Sequence, residues 1–121
     1  MKTILIADDS KFMRNYLKQK LQQQRLLTII EAINGQEAID IYKLSKPDMV
    51  FLDITMPNVN GLTALTEIIE FDPNAKVIMC SSMGTESNII EAIQLGAIDF
   101  IVKPNFETLG TILKKLDSNT N

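Results

Sequence analysis

The sequence contains no histidine and only one cysteine, and each of these features removes a class of function. Without histidine, the chain itself cannot provide a histidine-based catalytic triad, a histidine metal ligand or a phosphohistidine. The single cysteine, Cys80, cannot form an internal disulfide. Its apolar neighbours Val77, Ile78 and Met79 predict a buried thiol rather than a reactive one.

Long apolar runs and basic clusters are absent as well. No stretch approaches the ~18 to 20 consecutive apolar residues of a membrane span. Residues 1–10, MKTILIADDS, place two acids where a signal peptide would still be apolar. The net charge of -3 without a Lys/Arg cluster has the wrong sign for binding a phosphate backbone. We therefore expect a cytoplasmic protein that binds neither membranes nor nucleic acids directly.

The length and the apolar content of the chain suit one folded domain. The sequence has 121 residues, of which 45% are apolar, and this is enough to bury a single core. We expect one domain over residues 1–121, with its core at about 2–116 and a polar, frayed tail at 117–121.

Short apolar, β-branched runs alternate with segments of helical period. The runs lie at residues 3–7, 27–32, 48–53, 76–81 and 98–103. Apolar residues at helical spacing follow the first, third and fourth runs, beginning at Met13, Leu62 and Ile89. Five strands separated by helices imply right-handed crossovers and a parallel sheet covered on both faces. The predicted fold class is therefore α/β with three layers.

Residues that begin and end helices support this division of the chain. Asp9 or Ser10 can cap the first helix, Asn34 with Gly35 opens the second, and Gly96 closes the fourth. Each of them lies at a boundary between a predicted strand and a predicted helix.

Polar residues end four of the five predicted strands. They are Asp8 and Asp9 after the first strand, Asp53 at the third, Ser81 and Ser82 at the fourth, and Lys103 at the fifth. Ligands of an open parallel sheet bind at the carboxyl ends of its strands, so we expect these residues to share one edge, here called the rim. Three carboxylates there would repel one another and raise their pKa values unless a cation neutralises them. A small all-oxygen site of this kind suits Mg²⁺.

Each rim residue also has an ordinary explanation. Asp8 and Asp9 could serve as a helix cap and a first-turn acid, and Lys103 could be a solvated strand end. The occurrence of Asp53 and Lys103 at matching strand ends favours a site instead. Pro104 adds to this, because a bond before proline can be cis and can thereby aim the lysine side chain.

A metal, a carboxylate, a hydroxyl and a lysine together suit phosphoryl transfer. The main catalytic task in that chemistry is electrostatic stabilisation of the phosphoryl oxygens. Asp53 is the candidate nucleophile, and its reaction would give an aspartyl phosphate. The residues after it, 54–61, have the composition of a loop.

Together these motifs resemble the receiver domain of two-component response regulators along nearly the whole chain. The resemblance rests on DDS at 8–10, DITMPNVNG at 53–61, the serine that ends strand four, GAIDF at 96–100 and KP at 103–104. It implies the flavodoxin-like strand order 2-1-3-4-5 with five helices. It also implies a histidine kinase as phosphodonor and a protein partner that responds to the phosphorylated form.

The resemblance further implies a role for each rim residue. Asp53 resembles the phosphoacceptor and Asp9 a direct Mg²⁺ ligand, whereas Asp8 would hold the metal through water. The backbone carbonyl of Thr55 would supply a third protein oxygen, and Lys103 would pair with a phosphoryl oxygen.

Two residues correspond to the positions that carry the conformational response in this family. Ser81 would donate a hydrogen bond to a phosphoryl oxygen, and Phe100 would be the aromatic switch residue on strand five. Ser81 stands where threonine is frequent and Phe100 where tyrosine is frequent. Because Phe100 has no hydroxyl, a switch must act through ring packing, and an ordinary core phenylalanine is the alternative.

Two further positions are expected to set how long a phosphoryl group persists. Thr55 and Met83 correspond to residues that flank the water that hydrolyses the aspartyl phosphate. The apolar Met83 can shield the phosphoryl group but cannot orient water. We therefore expect slow self-dephosphorylation and a separate phosphatase.

Several functions remain possible within this resemblance. DITMPNVNG with DPNAKVIMCSSMG, residues 72–84, is most similar to stand-alone, CheY-like chemotaxis regulators that bind the flagellar motor switch. A receiver excised from a longer response regulator is the alternative. A Mg²⁺-dependent phosphatase would need a second acid where Thr55 stands, and a flavin carrier would need a phosphate loop where Asp8 and Asp9 stand. We therefore expect a signalling protein and not an enzyme.

Overall fold

Strands and helices alternate along the chain in the computed structural model, which describes residues 1–117. The elements are β1 Lys2–Ala7, α1 Lys11–Gln24, β2 Leu27–Ala32, α2 Gly35–Ser45, β3 Met49–Asp53, α3 Gly61–Phe71, β4 Val77–Ser81, α4 Glu86–Gln94, β5 Asp99–Val102 and α5 Leu109–Leu113. A 3₁₀ turn, Lys114–Leu116, follows α5 directly. All five predicted strands are present.

The five strands form one parallel sheet in the order β2-β1-β3-β4-β5. The predicted flavodoxin-like fold with strand order 2-1-3-4-5 and five helices is therefore confirmed. The last strand is shorter than predicted and ends at Val102. Pro104 has no backbone N–H and cannot donate to the strand ladder.

The core lies on both faces of the sheet. Along β1, Ile4 and Ile6 pack on one face with the buried residues of α1 and α5, while Leu5 and Ala7 pack on the other face with those of α2, α3 and α4. Side chains of a strand alternate between faces, so a strand covered on both sides is apolar at every position. This is why β1 and β3 were recognisable as continuous apolar runs.

The predicted helix boundaries agree with the structure. The Ser10 hydroxyl caps α1 by accepting a hydrogen bond from the Met13 N–H at 3.2 Å. The Asn34 side chain caps α2 by accepting from the Glu37 N–H at 2.8 Å. Gly96 follows α4 with a φ of 115°, a left-handed conformation that glycine adopts without steric cost.

The end of the described chain packs onto the rest of the domain. Leu116 is buried, and the Asp117 carboxylate lies 3.0 Å from the Arg25 guanidinium. The remainder of the predicted polar tail, 118–121, lies outside the described residues. Over residues 1–117, no helix is both long enough and apolar enough to cross a membrane.

Candidate functional site

The loop after β3 brings the chain back to the strand end at Asp53. The Gly61 N–H donates to the Ile54 carbonyl at 2.7 Å, and the Gly61 Cα lies so close to the Asp53 carbonyl that a Cβ there would overlap it. Asn60 then caps α3 by accepting a hydrogen bond from the Thr63 N–H at 3.0 Å. This tight loop between β3 and α3 leaves the Asp53 side chain at the rim.

Asp8 is buried at the end of β1, and each of its polar groups has a partner. Its backbone N–H donates to the Ala32 carbonyl at 3.1 Å. One carboxylate oxygen accepts from the Ser10 N–H at 2.9 Å, and the other accepts from the Lys103 ammonium at 2.9 Å. The side chain of Asp8 is therefore fixed in one orientation.

Lys103 links the ends of β1 and β3. Its Nζ lies 2.9 Å from an Asp8 oxygen and 3.2 Å from an Asp53 oxygen, and the bond to Pro104 is cis. Burial lowers the pKa of Lys103, but the hydrogen bond to Asp8 and the charges of Asp53 and Asp8 outweigh that effect, so the pKa lies above its ordinary value. The ammonium is therefore charged at neutral pH.

Burial and negative neighbours act on Asp53 in the opposite direction. Loss of solvent raises the pKa of Asp53, and the charge of Asp8 raises it further, while the charge of Lys103 lowers it, with a net result of about 6. One ammonium is thus too little to compensate the carboxylates around it. Asp53 would be stabilised by an additional positive charge.

One oxygen each of Asp8, Asp9 and Asp53 lies within 4.8 Å of the others, an arrangement that could hold a metal ion. Asp8 and Asp53 are buried and Asp9 is exposed, so the group opens to solvent on one side. Carboxylate oxygens are the ligands that Mg²⁺ prefers. The side chains present therefore fit the cation that the sequence predicts. Thr55 lies exposed in the loop after Asp53.

Ser81 ends β4 next to this group and is buried. Its Oγ accepts a hydrogen bond from the Met83 N–H at 3.0 Å, and its carbonyl accepts from the Lys103 N–H at 2.8 Å. The first bond uses a lone pair of Oγ and leaves the hydroxyl hydrogen able to donate. Met83 itself is 65% exposed.

Phe100 lies on β5 beside Met79 of β4, and its ring is partly buried. It packs against the core on the face covered by α2, α3 and α4. Phe100 as a whole is neither fully buried nor fully exposed. Both the switch role and the core role of Phe100 remain compatible with this position.

Two residues of this region were not recognised from the sequence. The Arg14 guanidinium donates to the Asp8 carbonyl at 2.9 Å and to the Glu31 carboxylate at 2.9 Å. The pair could have been found from Glu31, because it is a charged residue in the mostly apolar β2 segment LTIIEA. A charge in such a strand needs a partner.

The predicted buried thiol is confirmed. Cys80 lies beneath the rim and lines a small space together with Asp53 and Lys103. Burial raises the pKa of its thiol far above the ordinary value. The thiol is therefore not ionised at neutral pH and is unreactive.

Residues 4–116 match the response regulator receiver domain. The chain belongs to this family. CheY of Thermotoga maritima is 52% identical over 103 residues, which make up 85% of this chain and 86% of that protein. CheY of Bacillus subtilis is 52% identical over 101 residues, 84% of each chain.

A solved structure shows the same fold. It is the complex of CheX with CheY, BeF₃ and Mg²⁺ from Borrelia burgdorferi, which has a TM-score of 0.88 and 38% identity over 98% of this chain and 90% of that chain. The predicted resemblance to response regulators is confirmed, and the chain is a CheY-like receiver domain of a two-component system.

Proposed function

We propose that this receiver domain is a phosphorylation-dependent signalling switch, with Asp53 as the residue that accepts the phosphoryl group. A histidine kinase is the phosphodonor, and a protein such as the flagellar motor switch is the output partner. The observation that carries this proposal is the buried Asp53 carboxylate 3.2 Å from the Lys103 ammonium, within a three-carboxylate group that could hold a metal. A cytoplasmic location is part of the same proposal.

The transfer step uses the Asp53 carboxylate as nucleophile. One of its oxygens attacks the phosphorus of a phosphohistidine, an O–P bond forms, and the P–N bond breaks with its electron pair going to the imidazole, which takes up a proton. Lys103 pairs with one phosphoryl oxygen in place of Asp53, to which it now lies close. The Ser81 hydroxyl, whose hydrogen is able to donate, serves a second phosphoryl oxygen.

Asp9, Asp53 and the Thr55 carbonyl would hold Mg²⁺ directly, and Asp8 would hold it through water. Mg²⁺, when bound there, supplies positive charge that offsets the charge of the phosphoryl oxygens. The chain itself keeps the three carboxylates close together before the ion binds. For Asp8, the hydrogen bonds from Ser10 and Lys103 hold the carboxylate in place.

The domain acts on its own phosphoryl group and not on foreign substrates. An aspartyl-phosphate phosphatase would need a general acid two residues after its nucleophile, and that position is Thr55 here. Thr55 and Met83 are both exposed beside the rim, where they can control the approach of water. A separate phosphatase would then terminate the signal.

The output surface is formed by α4, β5 and α5. Phosphorylation draws Ser81 towards the phosphoryl group, and Phe100 turns into the space behind it, which is a shift between two populated states. Apolar side chains are already exposed on this surface, with Ile90 and Ile93 of α4 each 47% exposed and Val102 of β5 42% exposed. Such side chains suit a protein partner.

The experiment that tests this function is phosphorylation with a small-molecule phosphodonor and Mg²⁺. Wild-type protein should gain the mass of one phosphoryl group, and the label should be acid-stable and base-labile. Asp53→Asn should gain none, while Asp40→Asn, which alters an exposed carboxylate of α2, should behave like wild type. A label that appears on a serine of Asp53→Asn as fast as on wild type would contradict the assignment.

A further inference from the structure

Arg14 connects three elements next to the rim. Its side chain lies on the first turns of α1 and is 11% exposed. Nη1 donates to the carbonyl oxygen of Asp8 at the end of β1, and Nε donates to the Glu31 carboxylate on β2, each at 2.9 Å. The second Glu31 oxygen lies 3.8 Å from the Lys18 ammonium. The guanidinium charge is therefore paired within the fold.

These contacts fix the backbone of the β1–α1 turn. The Asp8 N–H is held by the Ala32 carbonyl of β2 at 3.1 Å, and the Asp8 carbonyl is held by Arg14. The carbonyl belongs to the peptide group that joins Asp8 to Asp9. Because the peptide group is planar, the orientation of this carbonyl also fixes where the N and Cα atoms of Asp9 lie.

Asp9 depends on this backbone more than the other two carboxylates do. Asp8 is held by Ser10 and Lys103, and Asp53 is held by Lys103. Asp9 is exposed, and within residues 1–117 its carboxylate has neither a hydrogen bond nor an ion pair. Its place within 4.8 Å of the other two therefore depends on where the turn puts its backbone, with no side-chain contact to support it.

We propose that Arg14, with Glu31 as its partner, is a positioning residue for the metal ligand Asp9. This inference rests on the proposed function, since it assumes that the three carboxylates bind Mg²⁺. Arg14 does not touch the ion; it holds the Asp8 carbonyl so that the Asp9 carboxylate stays close to Asp8 and Asp53. Residues that orient metal ligands in this way typically change metal affinity by roughly 10- to 100-fold when they are replaced.

The charge of Arg14 makes the direction of the effect informative. A cation near the metal site repels Mg²⁺, so loss of the guanidinium charge alone would raise the affinity for the ion. Loss of positioning lowers that affinity. A weaker Mg²⁺ complex in Arg14→Gln therefore cannot be explained by the loss of charge and is the result that positioning predicts.

The test measures Mg²⁺ affinity by isothermal titration of the purified domain. Arg14→Gln should raise the Mg²⁺ dissociation constant about tenfold, and Arg14→Lys, which keeps the charge but can reach only one of the two acceptors at a time, should raise it about threefold. Arg25→Gln removes an exposed ion pair with Asp117 and should leave the constant unchanged. If Arg14→Gln does not fold, the milder variant Arg14→Lys still allows the test.

A double substitution separates positioning from general loss of structure. In an Asp9→Asn background, Arg14→Lys or Arg14→Gln should not weaken Mg²⁺ binding further, because the ligand that Arg14 positions is gone. The inference is contradicted if both Arg14 variants bind Mg²⁺ as wild type does, or if their effects persist in full beside Asp9→Asn. Failure of the wild-type protein itself to bind Mg²⁺ would instead overturn the proposed metal site together with this inference.

Discussion

Charged side chains are buried at one end of the sheet and exposed at the other. Among the residues that the structure describes, the buried polar side chains are Asp8, Asp53 and Ser81, and all three lie at the rim. At the opposite end, Asp99 and Lys115 form an ion pair in which each side chain is 39% exposed. Arg25 and Asp117 form another exposed pair.

This difference shows where the fold places groups for chemistry rather than for stability. Exposed pairs are solvated and contribute little. At the rim, two buried carboxylates, Asp8 and Asp53, share one lysine, and burial together with the charge of Asp8 raises the pKa of Asp53. Excess negative charge of this kind destabilises the folded chain and would favour binding of a cation.

The largest expected difference between the two ends of the sheet is in the stability lost when one basic side chain is replaced at each end. Lys103→Met leaves Asp8 and Asp53 buried without their partner and should lower the free energy of unfolding by about 3 kcal/mol. Arg25→Gln should lower it by less than about 1 kcal/mol. Urea denaturation at pH 7 in EDTA measures both. Similar losses in the two variants would show that the ends do not differ.

Asp53→Asn should stabilise the metal-free protein at neutral pH by about 2 kcal/mol. The pKa of Asp53 is about 6 in the folded state against an ordinary value of 3.8, so the folded chain binds the extra proton between these values. Wild-type stability should therefore fall relative to the variant as the pH rises from about 4 to about 6.

Thermal melts in EDTA between pH 4 and pH 8 check this window. The difference between wild type and Asp53→Asn should vanish at the acidic end, whereas Asp40→Asn at an exposed site should follow wild type throughout. If the difference in melting midpoint is the same at every pH, the stabilisation does not come from the loss of the Asp53 charge.

The exposed residues beside the rim should control the lifetime of the phosphorylated form. Thr55→Asn and Met83→Glu each add a side chain that can orient water, and the double variant should lose its phosphoryl group about tenfold faster, a change of about 1.4 kcal/mol in the barrier. Decay of the isolated phosphorylated proteins gives the rates. A wild type that decays faster than all the variants would contradict the proposed shielding by Met83.

Phe100→Ala tests whether Phe100 couples phosphorylation at the rim to partner affinity at the output surface. Phosphorylation should proceed at the wild-type level, because the ring does not take part in the site. The gain in partner affinity on phosphorylation should fall by about fivefold, roughly 1 kcal/mol of coupling. Partner binding with and without phosphodonor measures this gain. If the gain is the same in both proteins, Phe100 is a core residue only.

Much of the fold could be predicted because the sequence pattern and the topology agree. β1 from Ile4 to Ala7 and β3 from Met49 to Leu52 are continuous apolar runs because both faces of the sheet are covered. The predicted strand positions alone were enough to predict that Asp8, Asp53 and Lys103 lie close together, because the carboxyl ends of parallel strands share one edge of the sheet. The short α5 was harder to foresee, since five residues of helix continue as a 3₁₀ turn.

Contacts between distant segments could not be predicted. The hydrogen bonds of Arg14 to Glu31 and to the Asp8 carbonyl depend on how α1 lies across β1 and β2, which no local pattern records. The partial exposure of Phe100 likewise depends on packing between β5 and the core. The roles of the site residues remain predictions for a different reason, since they concern states with a bound metal or a phosphoryl group.

The response of the melting midpoint to Mg²⁺ tests most directly whether the rim is built to receive a cation. Without metal, Asp9→Asn should melt above wild type, because it removes one of three repelling carboxylates. Millimolar Mg²⁺ should then raise the wild-type midpoint, with a gain of about 1.4 kcal/mol once its concentration is ten times the dissociation constant, and should raise the midpoint of Asp9→Asn by a smaller but measurable amount. A wild-type midpoint that Mg²⁺ does not change, or a metal-free Asp9→Asn that melts below wild type, would contradict the account.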